Sequence, residues 1–259
     1  MLAISVSKWL FDNMYNQKEG VCYDFFDLNK REVLKTNSPF HQGKENQTLD
    51  DLARPNTEGS AFVDAYKLTG DQKFLDAHIE LCKSLVEKQD SNGLWMQYSP
   101  NSSQYSFFHP RFNIWYAESL LEAYDNTKDK KFLEAAVKTA KQFAKIQLKD
   151  GTIFYENFTN GTRSNNGSIC GSAIAFAGIL WMRLEKYGYP EFKVNYEKSA
   201  HWIMRNRYPE NYPNPNLRGA VFETQLRSKQ GGIWFVHRDI GTSFGMRFLC
   251  HYYDLKYSN

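Results

Sequence analysis

The sequence predicts an all-α protein assembled from antiparallel helical hairpins, and three observations carry that expectation. First, YKLTGDQKFLDA (66–77) returns as YDNTKDKKFLEA (124–135). Tyr66, Thr69, Asp71, Phe74, Leu75 and Ala77 reappear 58 residues later as Tyr124, Thr127, Asp129, Phe132, Leu133 and Ala135. The same offset maps Gln89 and Gly93 onto Gln147 and Gly151. An offset held over two helices and the following turn marks an internal structural repeat. Second, apolar or small residues recur at Leu75, Ile79, Cys82, Leu85 and Val86, and again at Leu133, Val137, Ala140, Phe143 and Ala144. This is the three-four spacing of an amphipathic helix. Third, the breaks TGD and TKD are so short that the helices they join must run antiparallel.

In chain order, a lone helix over 3–14 is followed by GVCYDFFD (20–27). The first hairpin pairs a helix over 57–68 with one opening at Asp71, where Thr or Asp can accept from the unsatisfied N–H groups of the first turn. SNGLWMQY (91–98) then reads as a polar turn and a short β-like piece. The second hairpin repeats the plan with a helix over 112–126, one opening at Asp129, and KDGTIFYEN (149–157) as its extended piece. A diverged third copy pairs SICGSAIAFAGILWMRLEKYG (168–188), whose small residues permit close packing, with YPEFKVNYEKSAHWIMRNR (189–207). A lone helix over 242–255 ends the chain. The expected total is about eight helices in four hairpins. The first helix reads as the second half of a hairpin and the last as a first half, so ring closure would let them pair.

The 259 residues form one expected domain, 1–259, with ample core and no composition shift to divide it. Long turns at 36–56, 98–110 and 208–238 read as functional loops gathered at one end of the scaffold. A net charge of +3 with both signs interspersed does not point to nucleic acid. No apolar run reaches membrane-spanning length. The opening MLAISVSKWLFDNMY is amphipathic, carries Lys8 and Asp12, and resembles no secretion signal. Cys22, Cys82, Cys170 and Cys250 lack metal-type spacing and read as small buried hydrophobes. Five sequons, at Asn46, Asn101, Asn157, Asn160 and Asn166, are what chance yields in an Asn-rich sequence.

Aromatic content, 16%, is high for a helical protein, and many of these residues fall in the loops rather than on the core stripes. They include Tyr23, Phe25, Phe26, Trp95, Tyr98, Tyr105, Phe107, Phe108, Phe154, Tyr155, Trp234 and Phe235. Flat rings near Asp, Glu, Arg and Asn suit sugars, whose C–H faces stack while their hydroxyls take polar contacts. The same rings can instead plug the ends of the helical scaffold.

Repeated hairpins with a TGD turn followed by a glycine-plus-aromatic piece resemble the α/α-toroid superfamily. It includes six-hairpin glycosidases, polysaccharide lyases, sugar epimerases and, more remotely, terpenoid cyclases and prenyltransferases. DDLARPNTEGSAFVDAYKLTGD (50–71) is the most specific part, similar to the Asp-rich hairpin entrances of carbohydrate-active toroids. The resemblance implies a ring of inner and outer helices with a cleft at one end and an oligo- or polysaccharide as substrate. The chain is short for a six-hairpin ring. It fits four hairpins better, as in the helical domain of glucuronyl C5-epimerases, or an incomplete ring. That family's catalytic signature is not found here, so no residue role is carried over from it.

In such a ring, the loops entering the inner helices converge on one opening, and four segments qualify by position. Asp50, Asp51, Arg54 and Glu58 precede the first inner helix. Adjacent carboxylates can divide into a raised-pKa acid and an ionised partner, while Arg54 can hold a substrate carboxylate. The same residues also read as a helix N-cap with favourable dipole charge. In FFHPRFNIWYAE (107–118), His109, Arg111 and Asn113 lie at the next helix start, followed by Trp115, Tyr116 and Glu118. Pro110 restricts His109 to an extended backbone and aims it off the helix, as a candidate proton shuttle or an end cap. RGAVFETQ (218–225) supplies Glu223, with Arg227 beyond it. GGIWFVHRDIGTSFGMRFL (231–249) supplies Trp234, His237, Arg238 and Asp239 before the last helix.

The leading expectation is glycoside hydrolysis. It needs two carboxyl groups across the scissile bond, here Asp51 with Glu223, and Asp239 and Glu58 in reserve. Lyase or epimerase chemistry on a uronate would instead use His109 and His237, or Tyr105 and Tyr116, as base and acid. Arg54, Arg111 or Arg238 would then neutralise the substrate acid and the developing enolate. Trp95 and the remaining entrance residues would line the sugar site. A non-catalytic glycan-binding protein is the third reading. Terpenoid chemistry is set aside because the loops are too polar. No cofactor is expected: there is no Gly-rich phosphate loop, HExxH or Cys-pair metal site. Asp50, Asp51 and Asp239 are left as the open alternative for a metal.

Overall fold

The turns of the first two hairpins are built by the same side-chain chemistry. In the computed structural model of the chain, Thr69 Oγ1 donates to the Ala65 carbonyl at 2.6 Å and accepts from the Asp71 N–H at 3.1 Å. The Asp71 carboxylate then accepts from the Lys73 N–H at 3.3 Å as an N-cap. In the second copy Thr127 donates to Ala123 at 2.7 Å and accepts from Asp129 at 3.2 Å, and Asp129 accepts from Lys131 at 3.0 Å. Gly70 turns the chain with φ +70°, and its repeat partner Lys128 adopts φ +59°.

The structure describes residues 2–23, 26–33, 60–98, 100–161, 168–227, 233–236 and 239–257, with the backbone alone for 224–227 and 233–236. Among them are eight α-helices. These are α1 (Leu2–Asn13), α2 (Ala61–Thr69), α3 (Gln72–Lys88), α4 (Pro110–Thr127), α5 (Lys130–Ile146), α6 (Gly171–Lys186), α7 (Lys193–Arg205) and α8 (Asp239–Tyr257). Four two-stranded antiparallel ribbons join them. β1 (Tyr15–Asn16) pairs β2 (Val21–Cys22), and β3 (Phe26–Asp27) pairs β4 (Glu32–Val33). β5 (Phe107–Phe108) pairs β6 (Asn157–Phe158), and β7 (Thr224–Arg227) pairs β8 (Ile233–Val236). The chain divides into two compact units, Met1–Ser106 with Trp115–Thr139, and Phe107–Ile114 with Ala140–Asn259.

In the first unit, α1 packs on α2 and α2 on α3. Their apolar faces meet through Phe11, Phe62 and Phe74, whose rings lie 5.8–6.1 Å apart. The segment 91–98 was expected to be β-like but forms tight turns instead. Its N–H groups are captured locally: Leu94 donates to Asn92 Oδ1 at 3.0 Å and Met96 to Asp90 Oδ2 at 2.7 Å. Such side-chain acceptors compete with a strand ladder. Trp95 is consequently a core residue, fully buried, with Nε1 donating to the Leu85 carbonyl at 2.9 Å.

In the second unit, α6 is buried on nearly every face, as a helix apolar all round must be. α7 and α8 pack against it. Gly178 of α6 admits α8 closely, since a Cβ there would stand 2.4 Å from the Phe248 ring. The aromatic piece 149–157 yields only the Phe154–Ile169 bridge and the start of β6. Cys22, Cys82 and Cys170 are buried as expected, whereas Cys250 is exposed on α8.

Candidate functional site

The second unit gathers five polar side chains around Glu223. Pro110 opens α4 at N1, where its missing N–H costs nothing, and Asn113 Nδ2 donates to the His109 carbonyl at 2.7 Å. This arrangement sets His109 just before the helix and Arg111 in its first turn. The segment after α5 brings Tyr155, whose backbone N–H donates to Ser168 at 2.8 Å. The N-terminus of α6 brings Cys170, Gly171 and Ser172.

Glu223 is fully buried and is tied to that helix N-terminus twice. Its carbonyl accepts from the Gly171 N–H at 2.8 Å, and its Oε2 accepts from the Ser172 N–H at 2.7 Å. A carboxylate here satisfies free helix donors and meets the positive end of the helix dipole. Oε1 accepts from the Ser172 hydroxyl at 2.8 Å and from the Tyr155 hydroxyl at 2.7 Å, with Arg111 Nη1 at 3.7 Å. Two glycines make the cradle. A Cβ on Gly171 would stand 2.0 Å from the Phe222 carbonyl oxygen, and one on Gly241 of α8 2.9 Å from Glu223 Oε2.

The Arg111 guanidinium lies over the Tyr155 ring, 5.5 Å from its centroid, in cation–π geometry. His109 packs against Tyr155 and Phe112 with ring centroids 5.4 and 5.1 Å away. Burial, with Arg111 adding to it, pushes the His109 imidazole down to about 3, so it is neutral at ordinary pH. Burial and the negative Glu223 push the Cys170 thiol up to about 12, which keeps it protonated.

Of the residues singled out from sequence, His109, Arg111 and Glu223 thus share one cluster, and Asn113 is buried and bonded to the His109 carbonyl. Trp95, Trp115 and Tyr116 are buried in the first unit, with the rings of Trp95 and Tyr116 5.3 Å apart. Tyr105 is 69% exposed. Asp239 opens α8 and is exposed, its carboxylate accepting from the Ile240 N–H at 2.9 Å. Arg227 lies in β7 and Trp234 in β8, where Trp234 pairs with Leu226. Asp50, Asp51, Arg54, Glu58, His237 and Arg238 lie outside the described residues. Sequence reasoning missed Ser172, hidden in a run of small residues, and noted Tyr155 only among the loop aromatics. The helix start after a Cys-Gly-Ser step was the available signal, because an N-terminus buried in a protein needs an acceptor. Among the described residues no group of His, Cys, Asp and Glu has the makings of a metal site.

The family model described as pectic acid lyase matches residues 18–114, a stretch that includes His109 and Arg111. No curated protein matches the sequence significantly. Solved structures do match in fold. The unsaturated glucuronyl hydrolase of Bacillus sp. GL1, responsible for the degradation of glycosaminoglycan, superposes with TM-score 0.67 at 11% identity over 99% of this chain and 68% of that one. A D-mannose isomerase gives 0.67 at 14% identity over 95% and 63%. An alpha-1,6-mannanase of Salegentibacter sp. HEL1_6 gives 0.60 at 14% identity over 100% and 65%. That structure is a variant inactivated at two adjacent aspartates, in complex with alpha-1,6-mannotriose. This chain spans about two thirds of the length of these chains. In fold, it is an α/α toroid.

Proposed function

We propose that the chain is a carbohydrate-active enzyme that acts on a uronate-bearing glycan by proton abstraction, as a lyase or epimerase does. The observation that carries this reading is the Arg111 guanidinium, held between the Glu223 carboxylate and the Tyr155 ring beside a neutral His109. The pectic acid lyase match over the stretch that supplies His109 and Arg111 supports it.

A uronate carboxylate paired with Arg111 would have its C5 proton made acidic as charge develops on the acid group. A neutral imidazole is a base ready to accept a proton. The bound anion also raises its proton affinity, offsetting the depression that Arg111 causes. In elimination, the C5–H electrons form the C4–C5 double bond, the C4–O bond breaks, and the leaving oxygen takes a proton, for which Tyr155 is the nearby donor. In epimerisation, a proton returns to C5 from the opposite face. Glu223, with both oxygens bonded, positions Arg111 and Tyr155.

Glycoside hydrolysis remains the second reading. It is favoured by the adjacent pair Asp50–Asp51, since two adjacent aspartates inactivate the mannanase when replaced. One experiment separates the two. The chain is incubated with de-esterified polyuronate and with neutral mannan, and product absorbance in the ultraviolet, new reducing ends and deuterium uptake at C5 are followed. The proposal expects an unsaturated product or C5 exchange from the polyuronate. It also expects Arg111→Ala to lower kcat/KM by about 100-fold or more, the range for loss of an electrostatic stabiliser. Saturated reducing ends that vanish in Asp51→Asn and persist in Arg111→Ala would overturn it in favour of hydrolysis.

A further inference from the structure

We propose that Phe107 and Phe158 form a stacking subsite that holds the sugar unit next to the one bound at Arg111. The inference rests on the reading of the Glu223 cluster as a glycan site, and not on the choice between elimination, epimerisation and hydrolysis. The loop aromatics fall into two groups in the structure. Tyr23, Trp95 and Phe108 are buried. Phe107 stays half-buried, and β6 brings it a second half-buried ring, Phe158. Their centroids lie 6.0 Å apart with an interplanar angle of 66°. Such an edge-to-face pair leaves the faces of one ring unspent on its partner.

The ribbon register sets where the pair points. Phe108 stands opposite Asn157, and Phe107 opposite Phe158. Directly opposed residues share one face of a ribbon, and successive residues alternate. The Phe108–Asn157 face is fully buried, with the Phe108 ring 5.9 Å from that of Phe143 on α5. The Phe107–Phe158 face is therefore the outward one. Pro110 restricts His109 to an extended backbone, so the alternation returns His109 to the Phe107 side. His109 packs on Tyr155, over which the Arg111 guanidinium lies. The aromatic pair and the Arg111 centre thus share one side of the second unit. Two extended residues separate Phe107 from His109 by about 7 Å, the scale of one sugar unit.

The rings are held in place before any ligand arrives. Asn157 Nδ2 donates to the Phe154 carbonyl at 2.6 Å, Gln142 Nε2 of α5 to the Thr159 carbonyl at 3.4 Å, and the Gly161 N–H to the Phe158 carbonyl at 2.9 Å. Rigid aromatic surface loses little freedom on binding. Phenylalanine carries no hydroxyl, so what it recognises is the C–H face of a pyranose, charged or neutral. The ligand class is accordingly a glycan of two or more units, one read by its carboxylate at Arg111 and its neighbour by its C–H face here.

Affinity electrophoresis of the whole chain through gels containing de-esterified polyuronate or neutral mannan tests this, with Phe158→Leu and Phe158→Tyr as the informative pair. Leucine fills space without a flat face, and tyrosine restores the face. Circular dichroism checks that each variant is folded, and the same pair at Phe107 decides the matter if Phe158→Leu unfolds. Phe158→Leu is expected to weaken binding about two- to tenfold, the range for one aromatic contact, and Phe158→Tyr to keep it. On a glycan that is turned over, Phe158→Leu raises KM by that factor with kcat unchanged, since stacking holds ground and transition states alike. Binding of mannan alone, weakened in Phe158→Leu, would support the subsite while removing the carboxylate from the ligand. Leucine and tyrosine variants that bind alike would overturn the subsite and leave the glycan reading standing. A wild-type chain retarded by neither gel would overturn both.

Discussion

At the scale of single residues, Glu223 is held by its burial and hydrogen bonds, while Lys128 holds a strained backbone. Glu223 has no exposed surface and takes three hydrogen bonds, with Arg111 beside it. Glu223→Ala would strand the Ser172 N–H, two hydroxyls and a partly buried guanidinium, for an expected loss of about 3–5 kcal/mol. Glu223→Gln keeps the shape. Its amide oxygen can take the Ser172 N–H, and its amine can give to the two hydroxyls, which rotate to accept. Only the charge facing Arg111 is lost, and an expected cost of about 1–2 kcal/mol follows. Thermal denaturation of both variants checks the ranking; equal losses would mean that the hydrogen bonds contribute little. Lys128 stands in the left-handed region with φ +59°, where its repeat partner is Gly70. Exchanging it for glycine removes a strain of about 1 kcal/mol at a site where a side chain is rarely accommodated. Lys128→Gly is therefore expected to raise the melting temperature, and Gly70→Ala to lower it.

At the scale of elements, the 58-residue repeat carries more than two hairpins. It also carries the joints to the second helix of the next hairpin. Gln89 Nε2 donates to Gly93 O, Ala135 O and Thr139 Oγ1 at 3.0–3.1 Å. Gln147 Nε2 donates to Asn195 O and Ser199 Oγ at 3.1 Å, and Asn195 returns a bond to Gln147 Oε1 at 3.0 Å. Behind each glutamine stands a glycine turn pressed on the helix it addresses. A Cβ on Gly93 would stand 2.5 Å from Lys138 C, and one on Gly151 2.4 Å from Lys198 O. Both glycines also have positive φ, 85° and 95°. Replacing either with alanine should cost upwards of about 3 kcal/mol, because strain adds to overlap with backbone that cannot yield. Gly70→Ala should cost only about 1 kcal/mol, since nothing lies within 4 Å of its added carbon. Denaturant unfolding of the three variants reads the difference; a uniform cost would show that φ alone decides.

At the scale of the whole molecule, legibility follows the range of the interaction. Helices and hairpin turns were readable because their causes lie within a few residues: Thr69 and Asp71 cap locally, and Leu75 to Val86 trace one face. The Glu223 cluster was readable only in part, because its donors come from segments 51 and 68 residues away in sequence. No periodicity announces such a convergence. The β-like reading of 91–98 failed for a related reason, since Asp90 and Asn92 claimed the N–H groups a strand would have paired. Acid response is the property that follows from burial across both units. Burial pushes His78 in the first unit and His109 in the second down to about 3 from an ordinary 6.5. Below pH 6.5 the unfolded chain takes up protons at these sites and the folded chain does not, so stability falls as pH drops from 6.5 toward 3. Each histidine contributes a slope of about 1.4 kcal/mol per pH unit in that window. Lowering the pH from neutrality to 5 should thus remove on the order of 4 kcal/mol, a large fraction of a domain's usual stability. His78→Gln should halve the slope between pH 6 and 4, whatever its own cost at neutral pH. Urea midpoints across that range check it, and an unchanged slope would mean that His78 takes up its proton in the folded chain.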